Sequence, residues 1–501
     1  MKKTIVSLYL LAVLSLGVFA QETPTADAAK PVVQDNDAVF YNKTLKNGLE
    51  VIVLPDNSIP LVTVELAVRN GSFTEPIEYN GLSHLFEHMI FKPNKAVGVL
   101  RCRIFLNGGN TQAYKADNCA ERLKLSQTIG DVSYLFNIGE MGLAYNGTTR
   151  EEIVNYYYTT TRPFYPVAVK LLNDSVRFPE FDPQELENEK QVVIGELDRN
   201  EGTPGYYLSN MLSEKLFYKY PTRKKPAGTR QTVSSATVAK MQTIKDRYYV
   251  PNNSAVIVTG DVVPDEVFKL VDAIMGSWEK RSKAPFDEFP LVEHPPLEKS
   301  EGAFVENDDV NSVIIQIGWQ GPSIGKDNDA TYAADVFSFI LSQPDSKFSK
   351  ALIDSRLAAN VDLTYYTQRN VGPITMTLVT SQEKAKAALQ EAYKQVALFD
   401  KPGFFSDQEL ENSKTILESR DLFEREKLSE YAHTLGFWWS STGIDYFRTY
   451  HKNLRAVSRD DINRYVQTYI KGKPHVTVAL LSSADRAKLN LTENDLVGGS
   501  E

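Results

Sequence analysis

Residues 62–68 read VTVELAV and lead into RNGS, while residues 313–319 read VIIQIGW and lead into QGPS. Such alternation of apolar with polar or small residues is typical of strands, and an amphipathic helix follows each run. Residues 247–259 (RYYVPNNSAVIVT) and 467–479 (QTYIKGKPHVTVA) also match, because both read as helix, short turn and β-branched strand. The chain is therefore predicted to be α+β, with two homologous domains, each an antiparallel-rich sheet with helices packed on one face.

The length and composition agree with a globular protein of several domains. At roughly 100–250 residues a domain, 501 residues predict two to four of them. Hydrophobic residues make up 42% and charged residues 24%, which excludes a fibrous or disordered protein. The net charge of -9 lacks the basic surplus of a nucleic-acid binder. Four prolines mark residues 282–300 as a linker between domains at 37–281 and 301–485, with a tail at 486–501.

The first twenty residues, MKKTIVSLYLLAVLSLGVFA, have the pattern of a secretory signal peptide. Two lysines precede an uncharged run, and Val18 and Ala20 stand where a signal peptidase reads small residues. The run is short for a bilayer core of about 30 Å, so a membrane anchor is the less favoured interpretation. We expect cleavage after residue 20, a flexible leader at 21–36 and export to the periplasm or the medium, with no membrane span afterwards.

Residues 80–92, NGLSHLFEHMIFK, contain the strongest chemical signal. They predict a helix with Asn80 as N-cap, stopped by the proline that follows. Residues four apart share a helical face, so His84 and His88 present their rings to one point, and Glu87 faces nearly the same way. Two imidazoles and a carboxylate suit Zn²⁺. The alternative is a polar helix face whose histidines have ordinary partners.

A second predicted helix offers a third zinc ligand. Asp182 is suited to be its N-cap, with proline in the first position and Glu185 placed to complete a capping box. Glu189 and Glu196 lie seven residues apart on one face. Either glutamate can reach the metal while the other orients a ligand, and the alternative for both is a solvated surface charge.

Cys102 and Cys119 are the two cysteines of the chain. Export places them in an oxidising compartment, where a local disulfide and two free thiols both stay open. A two-cysteine zinc site is not expected, because neither residue belongs to a CxxC pair.

The HLFEH segment at 84–88 resembles the inverted zinc motif of the M16 metallopeptidases, the clan of pitrilysin, insulinase and mitochondrial processing peptidase. Three further segments resemble the same family. They are NGTT at 146–149, similar to an edge-strand motif, ENEKQVVIGELDRNEGTP at 187–204, similar to the distal glutamate helix, and VSRDDI at 457–462. The resemblance covers about residues 38–485 and implies the M16 half-barrel, with the zinc-binding domain at 37–281.

The resemblance also implies roles for individual residues. His84, His88 and Glu196 are the implied ligands of one Zn²⁺ per chain, Glu87 is the implied base, and Glu189 is an implied carboxylate that supports a ligand. The implied activity is that of a zinc endopeptidase acting on peptides or unfolded segments, with Glu87 taking a proton from the metal-activated water. Two alternatives are a non-catalytic binding or assembly subunit and a specific processing peptidase.

Asn146 is the implied substrate-binding position, where an extended substrate adds as a strand to a sheet edge. Relative to the family pattern, about thirty extra residues lie between Phe91 and Asn146, so an insertion is expected at about 95–130. Within it, Gln112, Ala113 and Tyr114 compete for the edge-strand assignment by their spacing. Asn146 is preferred because its distance from Glu196 fits the family.

A second departure concerns the C-terminal half. Self-sufficient family members carry an Arg and a Tyr seven residues apart, but here Ile353 stands at the Arg position. Arg356 is a poor substitute, since Leu363 lies seven residues further on. The missing pair suggests the zinc-bearing chain of a heterodimer whose second M16-like chain supplies Arg and Tyr, and a homodimer is the alternative.

Overall fold

The structure, a computed structural model, describes residues 40–498. The signal peptide predicted at 1–20 and the leader predicted at 21–36 lie outside the described residues. Across 40–498, none of the helices combines the length and the apolar composition needed to cross a bilayer.

Two sheets form the framework. Their strands are β1 (Tyr41–Thr44), β2 (Glu50–Pro55), β3 (Leu61–Val68), β4 (Ala144–Thr149), β5 (Val154–Thr161), β6 (Ser254–Gly260), β7 (Glu301–Glu306), β8 (Val313–Gln320), β9 (Asn360–Tyr365), β10 (Pro373–Thr380) and β11 (His475–Leu481). The first sheet has the order β1-β2-β6-β3-β5-β4, and the second has the order β7-β11-β8-β10-β9. β4 and β9 are therefore edge strands.

The second sheet repeats five strands of the first in order and direction. In the first, β2 pairs with β6 in parallel, and β6-β3-β5-β4 are antiparallel neighbours. In the second, β7 pairs with β11 in parallel, and β11-β8-β10-β9 are antiparallel neighbours. The predicted α+β fold with two homologous, antiparallel-rich units is confirmed.

Helices fill the connections. In the N-terminal half they are α1 (Leu82–Ile90), α2 (Lys95–Asn107), α3 (Thr111–Ala116), α4 (Cys119–Arg122), α5 (Ser126–Ile129), α6 (Tyr165–Arg177), α7 (Pro183–Glu201), α8 (Pro204–Leu216), α9 (Arg230–Ser234), α10 (Val238–Tyr248), α11 (Pro264–Met275) and α12 (Pro285–Glu288). In the C-terminal half they are α13 (Asn328–Ser342), α14 (Lys347–Ser349), α15 (Ala385–Leu398), α16 (Asp407–Arg425), α17 (Leu428–Ser441), α18 (Ile444–Arg448), α19 (Tyr450–Ala456), α20 (Arg459–Tyr469), α21 (Ser483–Lys488) and α22 (Glu493–Leu496).

Each sheet packs one face on helices of its own half and the other on a helix from the opposite half. Leu435 and Trp439 of α17 are buried against strands of the first sheet. Leu208 and Leu212 of α8 are buried against β11 and its neighbours in the second sheet. At Gly436 a Cβ atom would lie 2.5 Å from a carboxylate oxygen of β3, so glycine permits the close approach of α17. The two halves thus interlock through reciprocal helices.

The segment between α1 and β4 is largely helical and contains α2 to α5. A disulfide joins Cys102 and Cys119, so the free-thiol alternative does not hold in the structure. Residues 112–114, the competing match to the edge-strand motif, lie in α3 and not in a strand. Asn146 lies in β4, at the sheet edge.

Candidate metal centre

The helix α1 carries the HLFEH segment, and a buried carboxylate caps its N-terminus. Glu75 accepts hydrogen bonds from the backbone N–H groups of Gly81 (2.8 Å) and Ser83 (2.6 Å). The prediction of Asn80 as N-cap is wrong: its side chain donates to carbonyl groups of residues 222 and 225, and Gly81 takes the cap position at φ 86°. Burial raises the pKa of Glu75 to about 6, against the hydrogen bonds that lower it.

The helix α7 begins as predicted. The Asp182 side chain accepts hydrogen bonds from the two backbone N–H groups of the first turn, and Pro183 occupies the first helical position. The expected capping box does not form; the Glu185 carboxylate instead lies 3.6 Å from the Lys92 ammonium. α7 packs on α1 and brings Glu189 and Glu196 to the two histidines.

His84, His88 and Glu196 converge on one point. Glu196 Oε2 lies 3.5 Å from His84 Nε2 and 3.7 Å from His88 Nε2. Within residues 40–498, these three side chains form a group whose ligand atoms all lie within 4.8 Å of one another. Tetrahedral zinc with bonds of about 2.0–2.1 Å separates its ligands by about 3.3 Å. Two imidazole nitrogens and a carboxylate oxygen at these distances fit a zinc ion.

The second glutamate of α7 is held away from that point. Glu189 Oε2 lies 3.0 Å from His88 Nδ1, and Glu189 Oε1 lies 2.5 Å from Lys92 Nζ. Burial opposes ionisation of Glu189, but the hydrogen bonds from Lys92 and His88 outweigh it and lower its pKa. The carboxylate therefore accepts a hydrogen bond from His88 Nδ1–H, which leaves the lone pair of His88 Nε2 to bind a metal.

His84 and Glu87 have perturbed pKa values. Burial, and then the nearby His88 ring, lower the pKa of His84 to about 4, so its imidazole is neutral and free to donate a lone pair. Burial raises the pKa of Glu87, while the Thr149 hydroxyl donates to Glu87 Oε2 at 2.7 Å and lowers it in part. A carboxylate with a raised pKa beside a metal site suits a proton-transfer role.

The edge strand β4 lies against α1. Beside Thr149, Gly147 makes a close approach, since a Cβ atom there would lie 2.7 Å from Glu87 Cγ. Asn146 lies directly opposite Tyr157 of β5, on the other face of the sheet from Glu87. The structure therefore places Asn146 on the predicted edge strand but turns its side chain away from the metal helix.

Sequence reasoning did not identify three residues of this site: Glu75, Lys92 and Thr149. Lys92 has a readable signal, because it follows His88 by four residues, the spacing of one helical turn, although it lies just beyond the end of α1. Thr149 and Glu75 carry no such signal, since only the folded chain brings a strand and a loop to the helix. In the C-terminal half, Arg356 is exposed shortly before β9, and Leu363, seven residues further on, is 3% exposed within that strand.

Two protein-family models match the chain. Residues 51–118 and 121–230 match a family model described as Insulinase (Peptidase family M16), and residues 235–417 match one described as Peptidase M16 inactive domain. The chain belongs to peptidase family M16. The M16 match breaks at residues 119–120, inside the helical segment between α1 and β4.

Relatives in this family are named zinc proteases. The chain is 23% identical to the zinc protease PqqE of Helicobacter pylori over 87% of its own length and 91% of that protein. It is also 23% identical to the uncharacterized zinc protease YmxG of Bacillus subtilis, over 74% and 81% of the two chains.

Solved structures show the same M16 fold. A protease from Helicobacter pylori superposes with a TM-score of 0.71 at 21% identity, covering 88% of this chain and 99% of that one. The periplasmic protease PqqL from Escherichia coli superposes with a TM-score of 0.67 at 15% identity, covering 93% of this chain and 50% of that one.

Proposed function

We propose that this M16 chain is a zinc-dependent endopeptidase that hydrolyses peptides or unfolded protein segments. In this proposal His84, His88 and Glu196 bind one Zn²⁺, Glu87 is the base, and Glu189 supports His88. The observation that carries it is the convergence of two imidazole nitrogens on one carboxylate oxygen at 3.5 and 3.7 Å, with Glu87 on the same helix. The names of the relatives support the choice of zinc.

The chain's own residues supply the proton transfers. A bound Zn²⁺ lowers the pKa of a water ligand and polarises the carbonyl of the scissile bond. Glu87 takes a proton from the attacking water, and Thr149 holds the Glu87 carboxylate by a 2.7 Å hydrogen bond. The raised pKa of Glu87 lets it keep that proton and return it to the leaving amine.

The free edge of β4 is the proposed substrate site. A peptide that adds as a strand beside Asn146 gains main-chain hydrogen bonds that do not depend on its sequence. Because Thr149 of β4 contacts Glu87, a strand on this edge passes close to the metal site.

The proposed assembly is a heterodimer with a second M16-like chain that supplies the Arg and Tyr contacts, and a homodimer is the alternative. Ile353 at the family's Arg position, and a leucine rather than a tyrosine seven residues after Arg356, support the need for such a chain. We also propose export to the periplasm or the medium. The signal pattern at 1–20 supports it, as does the likeness to a protease titled periplasmic.

Glu196→Gln tests the zinc assignment. We expect the purified wild-type chain to contain one zinc and, once its proposed partner chain is added, to hydrolyse a quenched peptide library. The variant should lose zinc and turnover together, because an amide oxygen is a far weaker ligand than a carboxylate. The matched control is Glu187→Gln, on the same helix, whose exposed carboxylate pairs with Lys190 at 2.5 Å. Metal content by mass spectrometry and initial rates give the two readouts.

A wild-type chain without zinc would contradict the proposal and favour the non-catalytic alternative. Zinc without turnover in the isolated chain, with turnover restored by a second M16-like chain, would support the heterodimer. Retention of full zinc by Glu196→Gln would show that another group is the third ligand.

Lys92→Met is expected to weaken zinc binding by about 10–100-fold, the usual effect of removing a group that orients a metal ligand. Without the ammonium, Glu189 loses the contact that holds its carboxylate on His88 Nδ1. Lys92→Arg keeps the charge and should restore most of the affinity. Competition with a chromophoric chelator measures the zinc dissociation constant. Equal zinc affinities for the wild type, Lys92→Met and Lys92→Arg would show that Lys92 does not contribute to zinc binding.

A further inference from the structure

A segment of the N-terminal half lies directly against the start of α1. It comprises residues 221–228, between α8 and α9, and is called the support segment below. Asn80 Nδ2 donates hydrogen bonds to two of its carbonyl oxygens, at 3.0 and 2.9 Å. The backbones also touch, since a Cβ atom on Gly81 would lie 2.7 Å from the Cα atom of Gly228. His84 follows Gly81 within one helical turn, so the support segment fixes the end of α1 that carries this candidate ligand.

One lysine anchors the support segment to the C-terminal half. Lys224 Nζ donates hydrogen bonds to the carbonyl oxygens of Asn370 at 3.0 Å and Val371 at 2.9 Å. It also donates to Gln368 Oε1. These acceptors all belong to the loop between β9 and β10, residues 366–372. An ammonium group has three N–H donors, so a single loop of the C-terminal half accepts all three.

The ammonium group of Lys224 lies in a buried setting but keeps its charge. Burial lowers the pKa of Lys224 to about 8, and the Glu152 carboxylate opposes this shift. The side chain is therefore charged at neutral pH. Its Nζ atom lies 4.4 Å from the centroid of the Phe217 ring. Because a buried charge is costly unless it is hydrogen-bonded, the three acceptors hold Lys224 in one place.

The β9–β10 loop is buried and held in a strained conformation at this contact. Gln368 and Asn370 are 2% and 5% exposed, and Val371 has φ 55°. A β-branched residue rarely adopts this left-handed conformation, so surrounding contacts must maintain it. The Val371 N–H donates to Ser323 Oγ at 2.9 Å, while its carbonyl accepts from Lys224. Strained backbone of this kind is concentrated at functional sites.

The same loop also holds the turn that follows β4. Glu152, in that turn, accepts hydrogen bonds from the backbone N–H groups of Arg369 at 2.8 Å and Asn370 at 3.2 Å. Three residues before Glu152, Thr149 binds the Glu87 carboxylate. The β9–β10 loop therefore contacts two elements that fix α1, the support segment at its start and the end of β4 beside the proposed base.

We propose that Lys224 is a positioning residue through which the C-terminal half holds α1 in place. The role rests on the proposed zinc site, because α1 carries two of its ligands and the proposed base. The β9–β10 loop lies within residues 235–417, which match the model described as an inactive domain. In this proposal that domain contributes to the metal site without supplying a ligand.

Amide hydrogen exchange of the full chain tests this role without requiring zinc or turnover. In Lys224→Met we expect the amides of residues 81–90 to exchange about tenfold faster, the scale of one lost hydrogen bond to a charged group, while those of α13 keep the wild-type rate. Gln368→Met removes an acceptor from the opposite half and should accelerate the same amides. The matched control Lys225→Met should leave them unchanged, because its ammonium binds Glu214 within the N-terminal half.

Zinc affinity is the second readout, measured by competition with a chromophoric chelator. Lys224→Met should weaken zinc binding by about tenfold, the lower end of the usual effect of removing a group that orients metal ligands. Lys225→Met should match the wild type. A residue that only stabilises the fold would not change the affinity of the folded chain for zinc.

The outcomes separate positioning from general stability. Faster exchange confined to α1 and the support segment, together with weaker zinc binding, supports the proposal. Uniformly faster exchange across both halves overturns it, as does unchanged exchange of α1 or full zinc affinity in Lys224→Met. If Lys224→Met does not fold, the same comparisons with Gln368→Met decide. If the wild-type chain binds no zinc, the zinc proposal fails, but faster exchange confined to α1 and the support segment still supports the anchoring role of Lys224.

Discussion

Glu87→Gln is expected to lower kcat for peptide hydrolysis by about 10²–10⁴-fold, the usual contribution of a general base. Glutamine has nearly the same shape, and its amide oxygen can still accept the hydrogen bond from the Thr149 hydroxyl. It cannot take a proton from water at neutral pH. The site therefore keeps its geometry and loses its proton acceptor.

Zinc content distinguishes loss of the base from loss of the metal. The ligand atoms that converge belong to His84, His88 and Glu196, so Glu87→Gln should retain one zinc per chain. Initial rates with a quenched peptide and metal analysis on the same preparation check both statements. If the variant keeps more than about a tenth of the wild-type kcat, Glu87 is not the base. If the variant loses its zinc, Glu87 is instead required for zinc binding.

Leu435→Ala is expected to reduce the free energy of unfolding by about 2–5 kcal/mol, the range for a buried leucine. The side chain is fully buried where α17 of the C-terminal half packs on the first sheet. Leu212→Ala, on the reciprocal helix α8, should cost a similar amount, because that side chain is 6% exposed against the second sheet.

Denaturant unfolding followed by tryptophan fluorescence measures both variants. The matched control is Leu422→Ala, since Leu422 is 42% exposed on α16 and should change the stability by less than about 0.5 kcal/mol. We expect both halves to unfold in one transition, because each half covers a face of the other's sheet. Two separate transitions, of which Leu435→Ala shifts only one, would contradict the interlocked packing.

Local sequence patterns were sufficient to predict much of the protein. Alternation over 62–68 and 313–319 predicted two homologous sheets, because side chains in a strand alternate between its faces. The spacing of His84 and His88 predicted a shared metal-facing surface, because four residues make about one turn of a helix. Asp182 and Pro183 predicted the start of α7 for an equally local reason. These inferences depend only on neighbours in the chain.

Tertiary structure decided what those patterns left open. Glu189 and Glu196 lie on the same face of α7, and contact with Lys92, just beyond the end of α1, holds Glu189 away from the point where His84, His88 and Glu196 converge. The cap of α1 comes from Glu75, beyond the reach of a pattern that looks only at the adjacent residue. The covering of each sheet by a helix from the opposite half has no sequence signature at all. The roles of the two glutamates and the covering of the sheets depend on contacts between residues distant in the chain, and such contacts form only when the whole core packs.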